Sequence, residues 1–79
     1  MWSEGTIGVP TGDGKFTAVH YKVKHFDEPS EWGYKGGRAS KIWLKQDGRE
    51  VYCFERGEVT PIQTKEAETA LAILLQKYN

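Results

Sequence analysis

Apolar and polar positions alternate, then change period, along this chain, and the change marks where strands give way to a helix. From Lys15 to Phe26 the alternation is regular: Val19, Tyr21 and Val23 fall on one side, Ala18, His20, Lys22 and Lys24 on the other. That is the pattern of an antiparallel strand with one buried and one wet face. Near the other end, Ala67, Ala70, Leu71, Leu74, Leu75 and Tyr78 recur at helical spacing and form one stripe. Thr64 is a natural N-cap for it, and Glu66 and Glu68 lie in the first turn, where the helix dipole favours acids. Ile73 falls roughly 140° from the centre of the stripe, as a stray surface residue or part of an oligomer contact.

Between these elements, Asp47-Gly48 is a strong signal for a two-residue type I′ turn, which needs positive φ at both central positions. Folding the chain back around it in a regular ladder pairs Lys45 with Glu50, Leu44 with Val51, Trp43 with Tyr52, Ile42 with Cys53 and Lys41 with Phe54. Leu44, Val51, Ile42 and Cys53 then share a core face, and Trp43, Tyr52, Phe54, Lys41, Lys45 and Glu50 share the opposite one. Trp2 to Gly8 reads as a shorter strand weakened by Gly5 and Gly8. Turn residues fill Val9 to Gly14, Asp27 to Gly37 is a loop, and Gly57 ends the hairpin. The sum is a single α+β domain over residues 1–79. Its four strands, at about 2–8, 15–26, 38–45 and 49–56, form an antiparallel sheet (ββββα), with one C-terminal helix at about 65–78 packed on one face.

Composition narrows the function. Eleven basic and eleven acidic residues balance, which excludes a strongly basic nucleic-acid binder and an acidic DNA mimic. The charge is segregated, however: residues 15–45 carry a net charge of +4, with −2 on each flank. A positive patch for a small anion is compatible with this, whereas a long nucleic acid would meet acidic neighbours. Cys53 is the only cysteine and reads as a small core hydrophobe, and a chain this short without a cysteine framework fits a reducing cytoplasm. Met1-Trp2-Ser3-Glu4-Gly5 has neither a basic nor an apolar stretch, so no signal peptide is expected. No apolar run is long enough to span a membrane.

Candidate chemistry concentrates in two places. Nothing in the four-strand reading covers Trp43, Tyr52 and Phe54, joined on their face by His20, Lys22 and Lys24. Such a face marks a homo-oligomer interface, a stacking platform for nucleobases, or both. The second place is the loop Trp32-Gly33-Tyr34-Lys35-Gly36-Gly37-Arg38-Ala39-Ser40-Lys41. There Gly36 and Gly37 permit a backbone anion nest, Arg38, Ser40 and Lys41 offer phosphate contacts, and Trp32 and Tyr34 offer stacking surfaces. The plainer alternative is that the glycines allow a bend, with Arg38 pairing Glu55 or Asp27. Catalysis and metal binding find little support: His20 and His25 face opposite sides of one strand, and Ser30 has no elbow motif around it. Neither enzymatic activity nor a cofactor is expected.

Three stretches carry a resemblance across almost the whole chain. They are Trp2-x-Glu4-Gly5-Thr6-Ile7-Gly8, then Asp27-Glu28-Pro29-Ser30-Glu31-x-Gly33 with Gly36-Gly37-Arg38-x-Ser40-Lys41, then Ala70-Leu71-x-Ile73-Leu74-Leu75-x-Lys77-Tyr78-Asn79. In these the chain resembles a group of small uncharacterised proteins encoded by Firmicutes and by their phages and mobile elements. The resemblance carries no functional residue with it; it implies a setting, counter-defence in a bacterial host cytoplasm. The leading expectation is a homo-oligomeric, non-enzymatic protein that sequesters a small phosphorylated nucleotide. Gly36, Gly37, Arg38, Ser40 and Lys41 would hold phosphate, and Trp43, Tyr52, Trp32 or Tyr34 would stack the base. Two alternatives stand beside it. One is an anti-CRISPR-like inhibitor docking on a host defence complex through Trp43, Tyr52, Phe54 and Ile73; the other is a single-stranded nucleic-acid binder.

Overall fold

A computed structural model describes residues 1–79. Five strands, not four, make the sheet: β1 (Trp2–Pro10), β2 (Phe16–His25), β3 (Ala39–Gln46), β4 (Arg49–Glu55) and β5 (Glu58–Thr60), followed by helix α1 (Lys65–Tyr78). The strands lie in chain order, each antiparallel to the next. The additional strand comes from the segment before the helix. Arg56 takes a left-handed φ of 60°, and the Glu55 N–H donates to the Gly57 carbonyl, reversing the chain tightly enough for Cys53 to pair with Thr60.

The Asp47-Gly48 turn forms as its sequence predicts, with φ of 52° and 76°. The ladder behind it differs from the regular one. Lys45 pairs with Glu50, but Leu44 pairs with Tyr52, Trp43 with Cys53, Ile42 with Phe54 and Lys41 with Glu55. Val51 is the extra residue of a β-bulge, and both Val51 and Tyr52 turn inward, 1% and 0% exposed. The bulge therefore exchanges the two faces of β4 beyond Val51. Tyr52 is core rather than open surface, Phe54 lies on the helix side, and Cys53 moves to the open face opposite Trp43. The driving force is apolar area: a tyrosine ring removes far more surface from water than a cysteine side chain.

Helix α1 lies over β1, β2 and β3. Ala67, Ala70, Leu71 and Leu74 pack into one cluster with Val9, Val19, Val23, Ile42, Leu44, Val51 and Tyr52. Ile73 remains 44% exposed. Thr64 caps the helix by accepting from the Ala67 N–H at 3.0 Å, while its hydroxyl donates to Gln46 Oε1 at 2.7 Å. Gln46, buried at the end of β3, also donates to Glu66 at 3.2 Å, which fixes the helix start to the hairpin. At the far end of β4, Tyr34 stacks edge-on against Phe54 with centroids 5.1 Å apart; the Gln63 N–H donates to the Val51 carbonyl.

The glycine-rich loop is closed by the end of the helix. Asn79 Oδ1 accepts from the Ala39 N–H at 3.1 Å, and Asn79 Nδ2–H donates to the Tyr34 carbonyl at 3.2 Å. Gly37 leaves the space that the Asn79 amide fills, and Gly33 leaves the space for the Gly37 carbonyl. No helix is long and apolar enough to cross a membrane.

Candidate functional site

The face turned away from the helix carries three cross-strand rows, set by the register. One runs Trp2, Lys24, Lys41, Glu55; the next Glu4, Lys22, Trp43, Cys53, Thr60; the third Thr6, His20, Lys45, Glu50. Cations occupy the middle of the rows, with Lys24 directly opposite Lys41, and the acids Glu4, Glu50 and Glu55 stand at their ends. Lys41 meets Glu55 at 3.0 Å and Lys22 reaches Glu4 at 3.9 Å, whereas Lys24 and Lys45 have no carboxylate partner. Exposed pairs of this kind contribute little to stability, so the arrangement costs the fold little to keep.

Trp43 sits in the middle of the face, 38% exposed. Its Nε1–H donates to Glu50 Oε1 at 2.7 Å, and the other oxygen of Glu50 accepts from the Thr60 hydroxyl. The indole is therefore fixed along one edge. The Lys22 and Lys45 ammonium groups lie 5.8 Å and 5.7 Å from its ring centroid, within cation–π range. On one side of Trp43 is a depression of about 450 Å³ lined by Glu4, Thr6, His20, Lys22 and Lys45. On the other is one of about 330 Å³ bordered by Trp2, Lys41, Cys53 and Glu55. His20 is held at the edge of the first by a 2.8 Å hydrogen bond between its Nδ1 and Thr6 Oγ1.

This arrangement divides the residues expected from the sequence. Trp43 and Lys41 stand on the open face, with His20, Lys22 and Lys24 beside them as the β2 alternation predicts. Tyr52 has no accessible surface, and Phe54 and Tyr34 pack together on the helix side, so no stacking surface combines Tyr52 or Tyr34 with Trp43. In the loop, the Gly36 N–H donates to Gly33, the Gly37 N–H to Tyr34 and the Ala39 N–H to Asn79. The amides an anion nest would use are thus already spent. Ser40 is buried, its hydroxyl donating to the Lys24 carbonyl at 3.4 Å. Arg38 is half-buried and pairs with neither Asp27 nor Glu55. Trp32 stands apart, 55% exposed, beneath the Arg56 guanidinium at 5.7 Å.

Sequence reasoning placed Lys41, Lys45 and Glu50 on this face but missed Glu4 and Thr6 as part of it. The signal for both was present, since Glu4 and Thr6 follow from extending the β2 phase to β1. It also missed a polar cluster on the helix side. There Ser3 Oγ and His25 Nε2 are 2.8 Å apart, and the Tyr78 ring stacks on His25 at 4.6 Å. Hydrogen bonds from Tyr21 and Ser3 pull the Tyr78 phenol below its ordinary value, and the same contact pushes Tyr21 up. No group of three or more His, Cys, Asp or Glu side chains is placed to hold a metal ion.

Cys53 is on the open face yet shielded. Burial first, then the Glu50 and Glu55 carboxylates, push its thiol above the ordinary value. Iodoacetamide is accordingly expected to alkylate the native protein at neutral pH several-fold more slowly than the urea-unfolded chain. Equal rates followed by mass spectrometry would show the thiol to be unperturbed.

The chain belongs to the family described as a domain of unknown function (DUF7678), whose model matches residues 1–79. No curated protein and no solved structure matches it.

Proposed function

We propose that this family member is a binding protein whose open sheet face captures a small phosphorylated nucleotide, with the base stacked on Trp43 and phosphate held by Lys22 and Lys45. The observation that carries the reading is the pinned indole with two lysine ammonium groups within 6 Å of its ring. An aromatic face held in place loses little freedom when a base stacks on it, and every nucleobase offers a π-face. Lys22 and Lys45 are long, mobile point charges suited to following phosphate oxygens. The depression of about 450 Å³ beside Trp43 is of the size that small-molecule ligands occupy. Glu4, Glu50 and Glu55, flanking the lysines, repel a continuous phosphate backbone and so favour a short ligand over a polynucleotide. In a phage or mobile element of a Firmicute, such capture would remove a nucleotide signal from a host defence system.

Isothermal titration of the purified protein with a panel of mononucleotides and cyclic dinucleotides tests this. At least one is expected to bind, with Trp43→Ala weakening it by roughly 10- to 100-fold, the range that one base–aromatic stack contributes. A panel without any binder, or a binder indifferent to Trp43→Ala, overturns the reading. The same exposed face would then be read as a docking surface for a host protein.

A further inference from the structure

The two edges of the sheet are unlike. At one edge is β5, three residues long and displaced by a register shift against β4, which are ordinary ways of blunting an edge. At the other is β1, nine residues long, paired with β2 without a bulge and free of lysine and arginine. Its hydrogen-bonding phase can be read from both ends. The Met1 carbonyl accepts from the His25 N–H, and the Thr11 N–H donates to the Lys15 carbonyl. Odd-numbered residues of β1 therefore bond to β2, and the N–H and C=O groups of Trp2, Glu4, Thr6 and Gly8 point outward. Pro10 follows the same even phase, so the N–H it lacks is one that would have faced solvent, the position a sheet tolerates.

We propose that β1 pairs with β1 of a second copy of this chain, antiparallel about a two-fold axis at Thr6, joining the two five-stranded sheets into one. This register engages all nine residues of the strand. Thr6 meets Thr6 of the partner subunit, Glu4 meets the partner's Gly8, and Trp2 meets the partner's Pro10. No like charges stand opposite one another, whereas an axis at Glu4 would oppose two carboxylates. The register also accounts for two exposed aromatic side chains at opposite ends of the edge. Trp2 is 56% and Phe16 71% exposed, and Phe16 is the β2 neighbour of Pro10 on the same face. The two-fold brings each Trp2 onto the Pro10–Phe16 step of the other copy, so apolar surface left open in one chain is covered in two. Pairing of β1 with a β5 would engage only three residues and leave free edges for further addition; the two-fold closes the assembly.

Sedimentation equilibrium over a concentration series tests the proposal, with amide hydrogen exchange on the same samples. The wild-type chain is expected to dimerise, with the Glu4, Thr6 and Gly8 amides protected in the dimer and exchanging rapidly on dilution to monomer. Thr6→Pro removes an N–H that β2 does not use, and it is expected to weaken dimerisation about 30-fold or more while the circular dichroism spectrum is retained. Thr6→Lys, a change on the exposed face that opposes two cations at the axis, provides the same comparison should the proline variant not fold. A wild-type chain that stays monomeric, a dimer equally stable in the variants, or a dimer with unprotected Thr6 amides would each overturn the proposal.

Discussion

Tyr52→Ala is expected to lower the unfolding free energy by about 4 kcal/mol, within the range found when a fully buried aromatic is truncated. A domain of this length has on the order of 4–12 kcal/mol in total, so the variant stands near the limit of folding. The expectation rests on the bulge at Val51, which turns the largest of the fully buried side chains inward. Tyr52→Phe is expected to act in the opposite sense. The Tyr52 hydroxyl is buried without a hydrogen-bond partner, so removing it relieves a desolvation cost and leaves stability unchanged or raised by up to about 1 kcal/mol. Both variants also differ from the wild-type chain in their response to pH. Burial, followed by the nearby Tyr34 and Glu58, pushes the Tyr52 phenol well above its ordinary value. The native state then keeps a proton that the unfolded chain releases above about pH 10, and stability falls as pH rises through that region. Either substitution removes this contribution to the alkaline loss, and Tyr52→Phe does so with the ring still in the core. Urea unfolding of both variants decides the matter, since a loss under about 1 kcal/mol for Tyr52→Ala would place the ring on the open face.

Gly33→Ala is expected to destabilise the protein by about 3 kcal/mol and Gly37→Ala by about 2 kcal/mol, the scale of forced overpacking. Neither glycine has a positive φ, with values of −74° and −95°, so the cost is one of contact rather than backbone conformation. A Cβ on Gly33 runs into the Gly37 carbonyl, and one on Gly37 runs into the Asn79 amide. The first obstacle is backbone and cannot move aside, while the second is a side chain, which fixes the order of the two effects. Thermal melts separate this from an anion nest: a nest predicts lost ligand binding at nearly unchanged stability.

Elements whose signal is local were legible in the sequence. Asp47-Gly48, the β2 alternation and the Thr64-capped helix each carry their conformation in neighbouring residues, and each forms where expected. The bulge was not legible because Glu50 to Glu55 carries apolar side chains on both phases, Val51 and Cys53 on one and Tyr52 and Phe54 on the other. Pattern alone does not choose between them; the packing of the Tyr52 ring does. β5 was hidden because its reversal uses a left-handed Arg56, a residue with no turn signature. The glycine loop was open to two readings because the residue that decides between them, Asn79, is 40 positions from Ala39 in sequence. The part of the open face set by β2, β3 and the hairpin end of β4 was therefore predictable, and the part set by β4 beyond the bulge was not.

Because the strand order of the sheet is the order of the chain, every ladder joins strands adjacent in sequence, and only the β2–β3 connection is long. Pairing between adjacent strands favours growth outward from the Asp47-Gly48 hairpin one strand at a time. The helix is the exception, since it packs on β1 from the far end of the chain, and the Asn79 clasp joins segments that meet only once it has docked. A clasp formed after the rate-limiting step would govern how long the native state lasts rather than how quickly it is reached.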